Sequence, residues 1–415
     1  MANSGISNLA PDFWAREAQR SLFVDNKAMA IANTTLRNIV AGEGDTVNRV
    51  QVSYPNNVTY VPGTDITTQN ITGAKEALSI ATWLASKVTI DDTEKKQSIV
   101  ELGTNISNKM MHSHNNAIEQ AVMAEVTNAL WTLDDGNVGG TTGNNAVVST
   151  NTVPQFFIAA DTKLDAIDAP KAGRTAVVGG HFLGQLKLQQ AGRATVFGDG
   201  VNTRGVVTNL FGWDILYSNS LPYTAVLSMA TQPTDGDTIT ICGVTITLHA
   251  TLIAAGTTAG GWADIRTNVD TTRTFIRDLI NYNNGTGGTV AGTVDTDFTD
   301  VSAENRFLWQ KRGLLAVDSA SADTLTITGY GDIVVSETLT DATDSFTSKR
   351  QDSLFCVRGC IDIIVQIPPK IEVSRDPDQF ADIVKSLLGY GKKTFADGAR
   401  EMVRVKIDAS TSDWS

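Results

Sequence analysis

"GWDILYSNSLP", residues 212–222, closes an α/β unit that starts at Val153. The unit reads as a helix through "VPQFFIAADTKLDAI" (153–167), a strand at "RTAVVGG" (174–180), a helix at "HFLGQLKLQQ" (181–190) and a strand in "NLFGWDILYSNSLP" (209–222). Four features stand in fixed order. Arg174 precedes the buried strand, Gly179-Gly180 ends it, a helix with Leu183 and Leu186 follows, and the stretch from Gly212 closes the segment. The same texture returns only from Asp352 onward. It runs "SLFCVRGCIDIIVQIPPKIEVSRDPDQFADIVKSLLGYGKKTFADGAREMVRVKID" (353–408), read as a strand, a polar turn, a short helix at "FADIVKSLLGYG" (380–391) and a final strand. On this reading the unit's strand exits at Pro222 and the next begins near Ser353.

Residues 225–347 therefore interrupt the unit. They open with "DTITICGVTITL" (237–248), two alternating arms about a Cys-Gly turn, which is a hairpin pattern. A helix at "VDTTRTFIRDLINYN" (269–283), a Gly-rich loop at "NNGTGGTVAGT" (283–293), a second helix at "ENRFLWQKRG" (304–313) and strands in "DTLTITGYGDIVVSETL" (323–339) follow. Strands at both ends and helix between predict a compact α+β insertion domain. Cys242 and His249 lie seven residues apart in the hairpin, but zinc needs about four ligands and no second Cys/His pair is near. Both are expected to be hairpin residues.

Upstream, residues 1–41 carry helical hints but too little chain for a core, and read as an arm. From Gly42 to Thr93 strand and turn patterns predict a long two-stranded excursion: "TVNRVQVSY" alternates, "YPNN" and "VPGTD" are turns, and "ALSIATWLASKVTI" returns. "VELGTNISNKMMHSHNNAIEQAVMAEVTNALWTL" (100–133) places Leu102, Ile106, Met110, Ala117, Ala121 and Ala124 at helical spacings, so one long amphipathic helix is expected up to "DDGNVGG". His112 and His114 would point about 200° apart on it and cannot share one metal. They are expected to be solvated.

Composition narrows the function. The 415 residues are 41% hydrophobic and 19% charged, with 35 glycines, enough apolar content for real cores. No basic-plus-apolar signal-peptide pattern opens the chain, and no run approaches 18 uninterrupted apolar residues. The expectation is a soluble, unexported protein. Between Ala225 and Thr347 six Arg/Lys stand against fifteen Asp/Glu, a balance of −9 out of a total of −12. Such a segment lacks the clustered cations that neutralise nucleic-acid phosphates.

Signals for catalysis fail on chemistry. "GDGVNTRG" (198–205) and "GTTAGG" (256–261) lack the strand, spacing and Lys of a phosphate loop. Cys356 and Cys360, if one strand continued through both, would lie about 13 Å apart and could not chelate together. With Cys242 they make three cysteines, too few and too unevenly placed for a disulfide framework. No Ser/His/Asp set can be tied together by the sequence. No catalytic, cofactor-binding or metal-ligating residue is assigned, and no enzyme activity is expected.

The element order, "GWDILYSNSLP" and "IEVSRDPDQFADIVKSLLGYGKKTF" (371–395) resemble the major capsid proteins of tailed bacteriophages, the Hong Kong 97 phage fold, nearer the podovirus coat proteins that carry an inserted domain. The resemblance spans about 290 residues outside the insert. It implies an α+β chain with an N-terminal arm (1–41), an extended loop (42–93), a peripheral domain with the spine helix (94–150), an axial domain (151–224), the insertion domain (225–347) and return strands (348–415). It further implies self-assembly into hexamers and pentamers of an icosahedral head around double-stranded DNA, bound without sequence-specific contacts. A scaffolding protein, a portal and a decoration protein are the implied partners, with the host cytoplasm as the place of assembly and the virion as the destination. Some members join subunits by a Lys–Asn isopeptide bond; since Arg49 is the only basic residue between Gly42 and Ala74, no such crosslink is expected. Two alternatives are an encapsulin-like compartment, which needs cargo, and a surface adhesin or S-layer protein, which needs an export signal.

Overall fold

The computed structural model describes residues 27–36, 46–53, 55–66, 68–97, 102–191, 209–250, 260–265, 268–283, 288–294, 296–341 and 343–409. The expected arm therefore lies largely outside the described residues, as does "GDGVNTRG". The chain divides into two units, one built from Ala32–His114 and Ile361–Ala396, the other mainly from Asn115–Cys360 and the segment that follows Asp397.

In the first unit a four-stranded sheet is ordered Ala32–Asn33, Ile361–Arg375, Ala381–Lys393, Thr82–Asp91. Strand Ala381–Lys393 is central, antiparallel to both long neighbours. It replaces the short helix expected at 380–391. Ile383, Val384, Leu387 and Leu388 mimic a helical period because both faces of the strand carry apolar side chains, and pairing on two edges overrides that local pattern. Its partner strand shows register shifts between Val365 and Lys370, where Pro368 and Pro369 cannot donate to the ladder. The excursion is also shorter than expected. Thr46–Val52 pairs with Gly73–Ser79 as a two-stranded ribbon, and Thr82–Asp91 leaves it to form the sheet edge.

The long helix is Leu102–Ala124. It stops earlier than the periodicity implied: Glu125–Asn128 is a 3-10 turn and Trp131–Leu133 is a strand running parallel to Met402–Asp408. Val126, Thr127 and Asn128 are poor helix formers, and Trp131 and Thr132 favour strand, so the ladder at Val403–Val405 captures them.

The second unit holds a nine-stranded sheet. Its organising strand is Ser345–Val357, which pairs along one edge with Pro222–Ser228 and then Arg174–Val178, and along the other with Met402–Asp408. Arg174–Val178 runs parallel to Trp213–Tyr217, the crossover being helix Gly180–Ala191. Helix Val153–Asp165 buries Val153, Phe156, Phe157, Ala160 and Leu164, spaced so that they share one face. Phe157 and Trp213 meet Phe355 edge-on at 5.1 and 5.3 Å, the centre of the first core. Arg174 is buried and donates to Asp165 at 2.6 Å and to the Ala169 carbonyl at 3.0 Å. The basic residue ahead of the strand thus anchors the preceding helix.

The interruption begins later and ends earlier than the sequence implied. The exit strand continues to Ser228 and the return strand starts at Ser345 rather than near Ser353, with Ser228 and Ser345 directly opposite each other. Strand Thr324–Tyr330 of the insertion adds to the free edge of Pro222–Ser228. A five-stranded sheet, Phe298–Thr299, Gly261–Asp264, Val244–His249, Thr238–Ile241, Val335–Glu337, completes the insertion. Helix Val269–Asn281, capped by the Asn268 side chain, buries Phe275, Ile276, Leu279 and Ile280 in a core that also takes Tyr223, Ala225 and Leu227 from the exit strand. The two cores of this unit meet through one shared sheet.

Candidate assembly surfaces

The ribbon of the first unit exposes what a monomer normally hides. Val50 and Val52 on its strand, and Val58, Tyr60, Val61, Ile66 and Ile71 in its loop, are between 55% and 69% exposed. An isolated two-stranded ribbon is marginal in water, and so many apolar side chains on one excursion mark a surface built to be covered. The loop does not collapse on itself. Asn56 and Gln69 clamp it with two 2.7 Å hydrogen bonds, the Asn56 amide donating to Gln69 Oε1 and Gln69 Nε2 to the Asn56 carbonyl. At the tip Thr64 donates to the Val61 carbonyl across Pro62-Gly63, and Gly63 takes φ +90°, the type II geometry that "VPGTD" predicts.

The base of the ribbon is pinned. Val47 and Leu78 are buried with Ile80, Ile364 and Phe395, and the Phe395 ring lies between Arg49 (5.3 Å) and Lys393 (5.4 Å). Lys393 Nζ also donates to the Ala77 carbonyl at 2.8 Å. Where the ribbon meets the sheet, Ser79–Ile80 crosses Gly391 so closely that a Cβ there would sit 2.4 Å from the Ser79 carbonyl oxygen and 3.0 Å from Ile80 Cα. This explains the glycine of "GYGKK". Gly391→Ala is expected to cost about 1–3 kcal/mol by forcing two backbones apart, read as a lower unfolding temperature.

Behind the sheet, helix Leu102–Ala124 packs Ile106 and Met110 against Ile90, Ile371 and Val384. His114 is not solvated as expected: it is 5% exposed, and its Nε2 lies 2.8 Å from Ser386 Oγ, which in turn lies 2.5 Å from Ser86 Oγ. This chain ties the helix to the central strand Ala381–Lys393 and to the edge strand Thr82–Asp91 beside it. Burial pulls the imidazole pKa below its ordinary 6.5. A base whose folded pKa is depressed contributes stability that is complete above its unfolded pKa and lost as pH falls below it. His114→Gln is expected to flatten the acid side of the stability profile from about pH 6.5 downward, and His114→Ala to cost about 1–3 kcal/mol at pH 7, both measured by denaturant unfolding.

No protein-family model and no curated protein matches the chain. Solved structures do. A chain of Mycobacterium phage Che8 is 14% identical and superposes with a TM-score of 0.55, over 95% of this chain and 96% of that one. A chain of the capsid of cyanophage P-SCSP1u is 12% identical with a TM-score of 0.52, over 96% and 93%. The chain has the Hong Kong 97 phage capsid fold.

The ribbon and helix Leu102–Ala124 fall within the segments expected to be the extended loop and the spine helix. The ribbon does carry a lysine: Lys75, exposed on Gly73–Ser79, stands one position beyond the 42–74 window. The ground for excluding a ribbon crosslink falls with it. In the insertion, Cys242 and Gly243 adopt φ of +55° and +78°, the mirror-image turn that matches strand twist. Cys242 is thus a turn residue. His249 lies at the far end of Val244–His249, beside Asp235 (3.2 Å) and Trp262, about 16 Å away by strand rise, so no shared ligand site exists between them.

Cys356 and Cys360 correct another expectation. The strand ends at Val357 and turns at Arg358-Gly359, Gly359 taking φ +91°. The two buried thiols therefore meet, and the hydrogen bond with Cys356 together with burial holds the Cys360 thiol protonated well above its usual range. The sequence signal for this was the glycine of "CVRGC". Among the described residues no group of three or more His, Cys, Asp or Glu converges as a metal site, and no helix is long and apolar enough to cross a membrane.

The fold of the insertion takes charges of both signs inside. Arg273 is fully buried, donating to Asp318 at 3.0 Å and to the Met229 carbonyl at 2.6 Å, and it is also paired with Asp270. Arg306 is buried on the Leu279 and Ile280 carbonyls, and Arg277 is tucked against Asp278. Of the six cations between Ala225 and Thr347 these three point inward, and of the fifteen carboxylates Asp237, Asp264, Asp278 and Asp344 are buried, so the groups left at the surface remain predominantly acidic.

Proposed function

We propose that this chain is the major capsid protein of a tailed bacteriophage, self-assembling into the icosahedral shell that encloses double-stranded DNA. The observation that carries the reading is the ribbon: within a phage capsid fold, it holds out a row of apolar side chains that only another subunit can cover. Repeated heterologous contacts between identical chains close into rings and shells, so buried area per subunit is the working chemistry and no catalysis is needed.

On this reading the protein is a structural, non-enzymatic component with no cofactor or metal. Its partners are further copies of itself, a scaffolding protein, a portal and a decoration protein, and it passes from host cytoplasm to virion. The domain plan proposed with it is arm, extended loop, peripheral domain with spine helix, axial domain, insertion, and return strands. The insertion projects outward, because carboxylates placed against packaged phosphates would repel them. Electron microscopy of the purified recombinant chain tests the proposal. Closed shells or rings of five and six subunits are expected, with insertion density outside; a monodisperse monomer at high concentration would refute it.

A further inference from the structure

The sheet of the first unit has a second face. Ser86 and Ser386 point to the helix, so by strand alternation Lys87 and Lys385 point away from it, and the antiparallel register puts these two lysines directly opposite each other. Like charges in that position destabilise a sheet. Cations near this pair are matched: Lys95 of the helix Asp92–Gln97 with Asp382 at 2.7 Å, Arg375 with Asp92 at 2.5 Å, Lys370 with Glu372 at 2.6 Å. Glu372 stands in register with Lys385 and attracts it electrostatically, but its carboxylate is held at 2.6 Å by Lys370, so Lys385 makes no close ion pair with it. Lys87 and Lys385 are exposed and have no ion pair or hydrogen bond among the described residues.

The surroundings of the pair narrow the partner. Trp83, 50% exposed, packs on Gly389, where a Cβ would come within 2.4 Å of the indole, and Leu387 is 38% exposed on the same face. A phosphate backbone gains nothing by covering an indole and a leucine, whereas a protein surface with a carboxylate beside apolar side chains fits both features. The chain itself contains such a surface. On helix Ala303–Lys311, Glu304 is exposed with Phe307 (53%) and Leu308 (42%) at i+3 and i+4, hence on one face, while Trp309 turns inward to the Ile241 carbonyl.

We propose that Lys87 and Lys385 of one subunit receive Glu304 of a second copy, with Phe307 and Leu308 packing on Trp83 and Leu387. The inference rests on the capsid reading and adds a heterologous contact through the insertion that accounts for the paired lysines.

Two measurements test it in assembled particles. Carbodiimide, which joins a carboxylate to an amine with loss of water, is expected to give a covalent dimer whose peptide map links Glu304 to Lys87 or Lys385. In parallel, K87E/K385E is expected to lower shell yield at low salt about tenfold, E304K to lower it similarly, and the combination to recover most of the loss. Unchanged melting temperature of the K87E/K385E subunit shows that folding is not the cause. Shells that form in the wild type with no Glu304 crosslink, a link confined within one chain, or additivity in place of recovery would overturn the contact while leaving the capsid reading intact. Normal yield of the K87E/K385E shells with loss only of packaged DNA would assign the lysines to phosphate and overturn it equally.

Discussion

Replacing Val58, Tyr60, Val61 and Ile66 together by serine is expected to abolish closed shells while leaving a folded, soluble subunit. Each of these side chains is more than half exposed and contributes nothing to the cores, so their loss has little effect on the isolated chain. Covered by a neighbour, each contributes about 1.5–3 kcal/mol, and four per subunit amount to roughly 6–12 kcal/mol, more than enough to decide whether a contact closes. The clamp between Asn56 and Gln69 stays in place, so the loop keeps its shape and the effect reports on coverage alone. Sedimentation and electron microscopy read the outcome. Shells at wild-type yield would show that the ribbon is not an assembly element.

Excision of the insertion is the second large effect, and the strand boundaries dictate how to make it. Because Ser228 and Ser345 lie directly opposite, residues 230–343 can be removed and Met229 joined to Asp344 through Asn-Gly, a turn that suits a two-residue hairpin. The core around Phe157, Trp213 and Phe355 is untouched and is expected to fold. Tyr223, Ala225 and Leu227, however, lose the side chains that bury them, and the strand edge that carried Thr324–Tyr330 opens. The expected cost is about 5 kcal/mol, a drop of roughly 10–20 °C in melting temperature, with a tendency to associate edge to edge. Adding Val226→Lys on the outward face of that edge is expected to restore solubility without restoring stability. A melting temperature equal to the full chain would mean that the insertion is an independent module, contrary to the shared core.

Legibility in the sequence followed the range of the interactions. The α/β unit from Val153 to Tyr217, the Cys242-Gly243 hairpin and both insertion helices could be read because caps, turns and one-faced burial are local. Ala381–Lys393 could not, because its two-faced burial imitates a helix and one of its two partners, Thr82–Asp91, lies about 300 residues away. The contact between Cys356 and Cys360 was hidden by treating "CVRGC" as one strand, although its glycine marks the turn. His114 was misjudged for a similar reason: helix position says which face a side chain takes, and only the sheet opposite says whether that face meets water. Of the assembly surfaces, the ribbon was visible as an alternating excursion, while the opposed lysines appear only once the register is known.

That register also orders events in time. Ser86 and Ser386, neighbours in one hydrogen-bonded chain, are 300 positions apart, and strand Thr82–Asp91 acquires its partner only when Ala381–Lys393 has been made. At about 5–20 residues per second, the interval is roughly 15–60 s of synthesis, during which the ribbon has no sheet to stand on. A prematurely terminated chain that ends anywhere before residue 381 thus lacks the platform that aims its ribbon at a neighbour. Translation itself screens the building blocks, and only finished subunits present a surface on which a lattice can grow.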